Sequence, residues 1–123
     1  ELHGRMDRMD RNGDAIALLD YKTQSAKVIR DRLPNDVQLP TYAFMYGDVA
    51  QAAYVALDDE RVVSVSAGDD EANNALSEAA AAQGERLNTV FTALYAGAPL
   101  PAHGVPNVCQ WCEMSGLCRR DYV

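Results

Sequence analysis

Asn12-Gly13, set between two runs with strand character, constrains this chain more than any other pair of residues. Asn-Gly is the strongest short-range hairpin signal, because tight turns need backbone angles that Gly and Asn reach at little cost. The pattern predicts a strand from Leu2 to Asp10, a turn over Arg11-Asn12-Gly13-Asp14 and a second strand from Ala15 to Lys22. With Asn12-Gly13 as a two-residue loop, Arg5 faces Asp20, Asp7 faces Leu18 and His3 faces Lys22. Paired residues share a face, and so do alternate residues along a strand, so Asp7, Asp20 and Lys22 point the same way.

The remaining elements follow from periodicity and punctuation. Thr23 to Asn35 reads as a loop with a short helical turn. The run DVQLPTYAFMYG reads as a short buried helix, with Pro40 tolerated near its start and Gly47 ending it. Ala52 to Leu57 and Arg61 to Ser66 flank Asp58-Asp59-Glu60 as a second hairpin. Apolar residues every three or four positions predict a long helix, capped by Asp69 or Asp70 and stopped by Gly97. Within it Gly84 is a candidate bend, and the alanines from Ala79 to Ala82 are a candidate close contact on a sheet. The expected class is α+β: a mainly antiparallel or mixed sheet of about four strands flanked by helices. A single domain over 1–123 is expected, ending in an irregular, cysteine-containing segment over 99–123.

Composition narrows the setting. With 48% hydrophobic and 24% charged residues the chain is in the globular range, and no run is long and apolar enough to cross a bilayer. The N-terminal Glu-Leu-His-Gly lacks an initiator methionine and a basic leader, so it reads as a cut end of a longer protein. A net charge of −7 opposes the basic balance of most nucleic-acid binders. Three cysteines, all between Cys109 and Cys118, make a poor disulfide framework and a fair set of metal ligands, which favours a reducing cytoplasm.

Asp7 and Asp20 become diagonal cross-strand neighbours, with Cα atoms about 7–8 Å apart. They share their face with Met9, Ile16 and Leu18, so two like charges lie close together on a partly apolar surface. A divalent cation removes that cost, and two carboxylates completed by water suit Mg²⁺. Lys22 could then orient a water or stabilise charge developing on a phosphate, which makes a hydrolytic site for a phosphodiester. The competing reading pairs Asp20 with Arg5 at a strand end and leaves Lys22 in water. A single-residue bulge would also separate the three groups.

Read together, GRMDRMD (Gly4 to Asp10), LLDYKT (Leu18 to Thr23), QLPTYA (Gln38 to Ala43) and Cys109-x2-Cys112-x5-Cys118 resemble the RecB-type branch of the PD-(D/E)XK nucleases. In particular the chain is similar to nuclease domains of bacterial helicase-nuclease subunits that carry an iron-sulfur staple. The resemblance implies a restriction-endonuclease-like core and a metal-dependent deoxyribonuclease, an exonuclease of DNA repair and recombination, partnered by a helicase subunit or domain. It makes Asp7 and Asp20 the ligands of Mg²⁺ or Mn²⁺, Lys22 the catalytic lysine, and Gln38 and Tyr42 the helix motif that orders the site and touches DNA.

It also makes Cys109, Cys112 and Cys118 three ligands of a [4Fe-4S] cluster whose fourth ligand lies upstream. A zinc site with His103 and three reduced cysteines are the alternatives. The helix that precedes the first strand in the family has no counterpart here, so the core is expected to be incomplete and its own activity weak or nil. Arg5, Arg8, Lys27, Arg30, Arg32, Arg119 and Arg120 are candidates for a local positive rim toward DNA. The rival functions are a non-catalytic DNA-binding or structural module of this fold, and a small metal-stapled interaction domain.

Overall fold

The computed structural model describes residues 1–67, 73–100, 102 and 104–118. They form two compact units, Glu1–Asn88 and Thr89–Val123. In the first unit the leading hairpin is present, formed by β1 (Arg8–Asn12) and β2 (Ala15–Lys22). Its loop, however, is Gly13-Asp14: Asn12 pairs with Ala15, and Arg8 with Leu19. A type I′ loop over Asn12-Gly13 needs positive φ at both residues, whereas a loop that begins with Gly needs it at Gly alone. Gly13 has φ 61°, and neither Asn12 nor Asp14 is in the left-handed region. The expected pairs Arg5–Asp20, Asp7–Leu18 and His3–Lys22 therefore do not form. The register differs by two residues, an even slip, so every side chain keeps its predicted face.

β1 is also shorter than the pattern suggested, because residues 4–6 leave the sheet. The Tyr42 hydroxyl donates to the Arg5 carbonyl at 2.8 Å, and Met6 packs against the core. A Cβ on Gly4 would lie 3.1 Å from the Tyr42 ring, so glycine suits this close approach.

The segment read as a loop with one turn contains a regular helix, α1 (Ala26–Arg32), and a 3₁₀ turn over Leu33–Asn35. Ser25 caps α1 by accepting from the Val28 N–H, and Asp59 accepts from the Ala26 N–H at 2.7 Å. Seven residues with only Ala26 and Ile29 buried leave too short an apolar stripe to read from periodicity. α2 (Gln38–Tyr46) matches its prediction, with Pro40 in the first turn and Gly47 at φ 74° just after the end.

α1 and α2 together make the crossover that a parallel strand requires. β3 (Gln51–Ala56) pairs parallel with β2, and β4 (Val63–Ser66) pairs antiparallel with β3 as the second hairpin. The sheet is thus mixed, in the order β1-β2-β3-β4. Ile16, Leu18, Ala52, Tyr54, Ala56 and Val65 join Ala26, Ile29, Leu39 and Ala43 in one core. Leu18 and Leu39 are its largest fully buried side chains, each worth roughly 1.5–3 kcal/mol of burial.

α3 (Asn73–Tyr95) begins within the first unit and ends in the second. Its expected Asp69 or Asp70 cap lies outside the described residues. At the other end Gly97 has φ 86°, its N–H bonds the Leu94 carbonyl, and the Ala98 N–H bonds the Ala93 carbonyl. That pair of bonds is a Schellman stop, as Gly97 predicted. Of the alanine run, Ala80 packs against the core and Ala79 is half-buried, while Ala81 and Ala82 are exposed. Beyond it the buried Gly84 meets α2, where a Cβ would lie 2.3 Å from a ring carbon of Phe44, and Gln83 donates to Thr41 at 3.1 Å. Glycine at this position therefore serves helix-on-helix packing. The second unit adds α4 (Pro106–Cys109) and α5 (Ser115–Cys118), with Trp111, Met114 and Leu117 exposed.

Candidate active site

Alternation along β2 puts Ile16, Leu18, Asp20 and Lys22 on the face that the helices cover. The first two are core, Asp20 is 5% exposed, and Lys22 emerges at the strand end. Crevices outside the carboxyl ends of parallel strands are where open mixed sheets bind ligands, and Asp20 and Lys22 stand at that end of β2. Burying a carboxylate without partners costs several kcal/mol, so the neighbours of Asp20 decide whether it is tolerated.

Those neighbours come mainly from α2. Asp20 Oδ1 accepts from Gln38 Nε2 at 2.9 Å, and the Gln38 Oε1 atom accepts from Lys22 Nζ at 2.9 Å. Lys22 Nζ lies 2.6 Å from Asp20 Oδ2. The three side chains close a triangle in which Gln38 offers its donor to the carboxylate and its acceptor to the ammonium. Reversing the amide would set like against like at both contacts. Asp20 Oδ2 is buried, and its contact is the charge pair with Lys22. Tyr42, one turn along α2, accepts from Gln38 Nε2 at 3.2 Å and ties the triangle to the Arg5 carbonyl.

Asp7 sits in the bend before β1 and is exposed. Extending the register by one residue sets it opposite Asp20. Its Oδ2 accepts from the Tyr21 N–H at 2.9 Å, so the carboxylate takes up the donor that the strand ladder leaves beyond Arg8. Asp7 thereby lies beside the Asp20-Tyr21 peptide.

Two further residues escaped the sequence reading. Tyr54 pairs with Asp20 across β2 and β3, its ring centroid is 5.0 Å from Lys22 Nζ, and its hydroxyl is 3.3 Å from Gln38 Oε1. That hydroxyl donates to Asp36 Oδ1 at 2.8 Å. Burial, reinforced by the Asp36 carboxylate, holds the Tyr54 phenol far above its ordinary pKa, so it stays protonated. Asp36 also accepts from the Gln38 and Leu39 N–H groups, capping α2 and fixing the residue that clamps Asp20 and Lys22. An Asp two residues before Gln38 was the available signal for the cap; nothing local marked Tyr54.

The cysteines behave differently. Cys109 ends α4, Cys112 follows it and Cys118 ends α5, all as free thiols. Among the described residues no three His, Cys, Asp or Glu side chains gather as a metal-binding group, and His103 lies outside those residues. Asp7 and Asp20 each offer carboxylate oxygens, the donor type that hard divalent cations take, and Asp20 Oδ2 is buried against the Lys22 ammonium.

A family model of the PD-(D/E)XK nuclease superfamily matches residues 1–119. The chain belongs to this superfamily. Neither the curated proteins nor the solved structures returned a match. The four-stranded mixed sheet with flanking helices agrees with a restriction-endonuclease-like α+β fold.

Proposed function

We propose that this PD-(D/E)XK domain hydrolyses phosphodiester bonds of DNA with Mg²⁺ or Mn²⁺, through Asp7, Asp20 and Lys22 with Gln38 and Tyr42 in support. The observation that carries the reading is the closed contact of Asp20, Lys22 and Gln38 at the carboxyl end of β2. Asp7 and Asp20 would hold the cation. When bound, it would supply positive charge against the phosphate and make the attacking water more acidic.

The residues of the chain do the rest. Lys22 presents an ammonium, aimed by Gln38, that stabilises charge developing on the phosphate oxygens or orients the water. Water oxygen joins phosphorus as one phosphorus–oxygen ester bond breaks, and the proton lost by water balances the one gained by the leaving oxygen. Tyr54, kept neutral, adds no negative charge beside Lys22. Tyr42 and Asp36 hold Gln38 in place.

The Gln38-x3-Tyr42 pair on the first turns of α2 supports assignment to the RecB-type branch. With it come exonucleolytic cutting, a helicase partner and a place in DNA repair and recombination.

The test is cleavage of DNA by the full-length protein with Mg²⁺. Asp20→Ala and Lys22→Ala should each lower the rate by roughly 10²–10³-fold with the fold retained by circular dichroism. Unchanged cleavage in both variants would refute the assignment. DNA binding without any cleavage would instead favour a non-catalytic scaffold.

A further inference from the structure

We propose that Arg32 binds a phosphate of the DNA strand adjacent to the one that is cut, in a cleft it shares with Lys22. This rests on the phosphodiesterase reading and assigns that site a substrate contact. The cleft measures about 240 Å³ and is lined by Lys22, Gln38 and Tyr54 of the site together with Gln24, Arg32 and Leu33. That is below the roughly 300–1,000 Å³ of a pocket that engulfs a free small molecule, and it suits a short piece of strand.

The charge of Arg32 is unspent. Arg8 pairs with Asp10, Lys22 with Asp20 and Lys27 with Asp31, but among the described residues Arg32 has no carboxylate within ion-pairing distance. Its guanidinium donates only weakly to a neutral acceptor, Gln24 Oε1, at 3.4 Å. Asp36 lines the same cleft, yet its oxygens are taken by the Tyr54 hydroxyl and the N–H groups of Gln38 and Leu39. In a chain of net charge −7, an arginine left uncompensated beside the site is set up for an anion from outside. The planar fork of guanidinium matches two phosphate oxygens at once. Arg30, two residues earlier on α1, lines a different hollow with Asp59 and Glu60.

The experiment uses the full-length protein as wild type, Arg32→Ala, Arg32→Lys and, as a charge-matched control, Arg61→Ala. Arg32→Ala should raise the KM for DNA about tenfold while kcat stays within about twofold. Arg32→Lys should recover part of the loss, and Arg61→Ala should change neither constant. DNA carrying one neutral methylphosphonate at successive positions locates the contact: wild type should lose affinity at a position next to the cut, where Arg32→Ala loses nothing further. If Arg32→Ala behaves like Arg61→Ala, or both proteins respond alike to every methylphosphonate, the Arg32 contact is refuted while cleavage stands. If wild type does not cut DNA, the phosphodiesterase reading fails and this contact with it.

Discussion

Gln38 is the residue on which the geometry of the site turns, because it bonds both Asp20 and Lys22. Gln38→Ala leaves Asp20 Oδ1 without its donor in a buried setting, which should cost about 1–3 kcal/mol in urea unfolding and slow cleavage as Lys22 loses its aim. Tyr54 tests the electrostatics of the site. Its pKa is raised in the fold, so above the ordinary tyrosine value of 10.0 the folded state holds a proton that the unfolded state releases, and stability falls. Tyr54→Phe should remove that part of the alkaline loss, read as a smaller drop in melting temperature between pH 9 and pH 11 than in wild type.

At the scale of elements, the contact of α2 with α3 offsets local preference. Replacing Gly by Ala inside an exposed helix stabilises it by up to about 1 kcal/mol. At Gly84 the added methyl would displace the ring of Phe44, which is 46% exposed and can turn toward solvent, so Gly84→Ala should gain less than that. In a Phe44→Ala background the same substitution should give the full gain, and a double-mutant cycle measures the coupling. An equal gain in both backgrounds would show that the helices do not approach here. The same comparison explains which elements were legible. β2, α2 and the second hairpin carry runs of apolar residues bounded by Gly, Asp or Asn; α1 has too few buried positions to declare itself.

For the whole molecule, the acidic balance limits how DNA is held. Each phosphate contact contributes about 0.7–0.9 to the slope of log affinity against log salt. Among the described residues Lys22 and Arg32 are the cations that line the cleft, so the slope for wild type should be shallow, and Arg32→Ala should reduce it by about one unit in fluorescence anisotropy without Mg²⁺. The C-terminal unit carries an exposed Trp111 and three free thiols, and the function proposed for the first unit does not draw on them.

The order of motifs and the alternation along β2 were enough to place Asp20 and Lys22 on one face and Gln38 and Tyr42 on one helix. Side-chain direction follows from local backbone geometry, and local geometry is written in short runs of residues. What only the tertiary structure decided was contact. The hairpin took the loop that asks a positive φ of Gly13 alone, which set Asp7 opposite Asp20 instead of diagonal to it. The parallel pairing of β2 with β3 brought Tyr54 beside Asp20 from residues far apart in the chain. Asp36, at the head of the run read as a helix, became the residue that ties down its first turn and fixes Gln38. Such partners are chosen by how strands and helices close over a shared core, and no window of neighbouring residues encodes that choice.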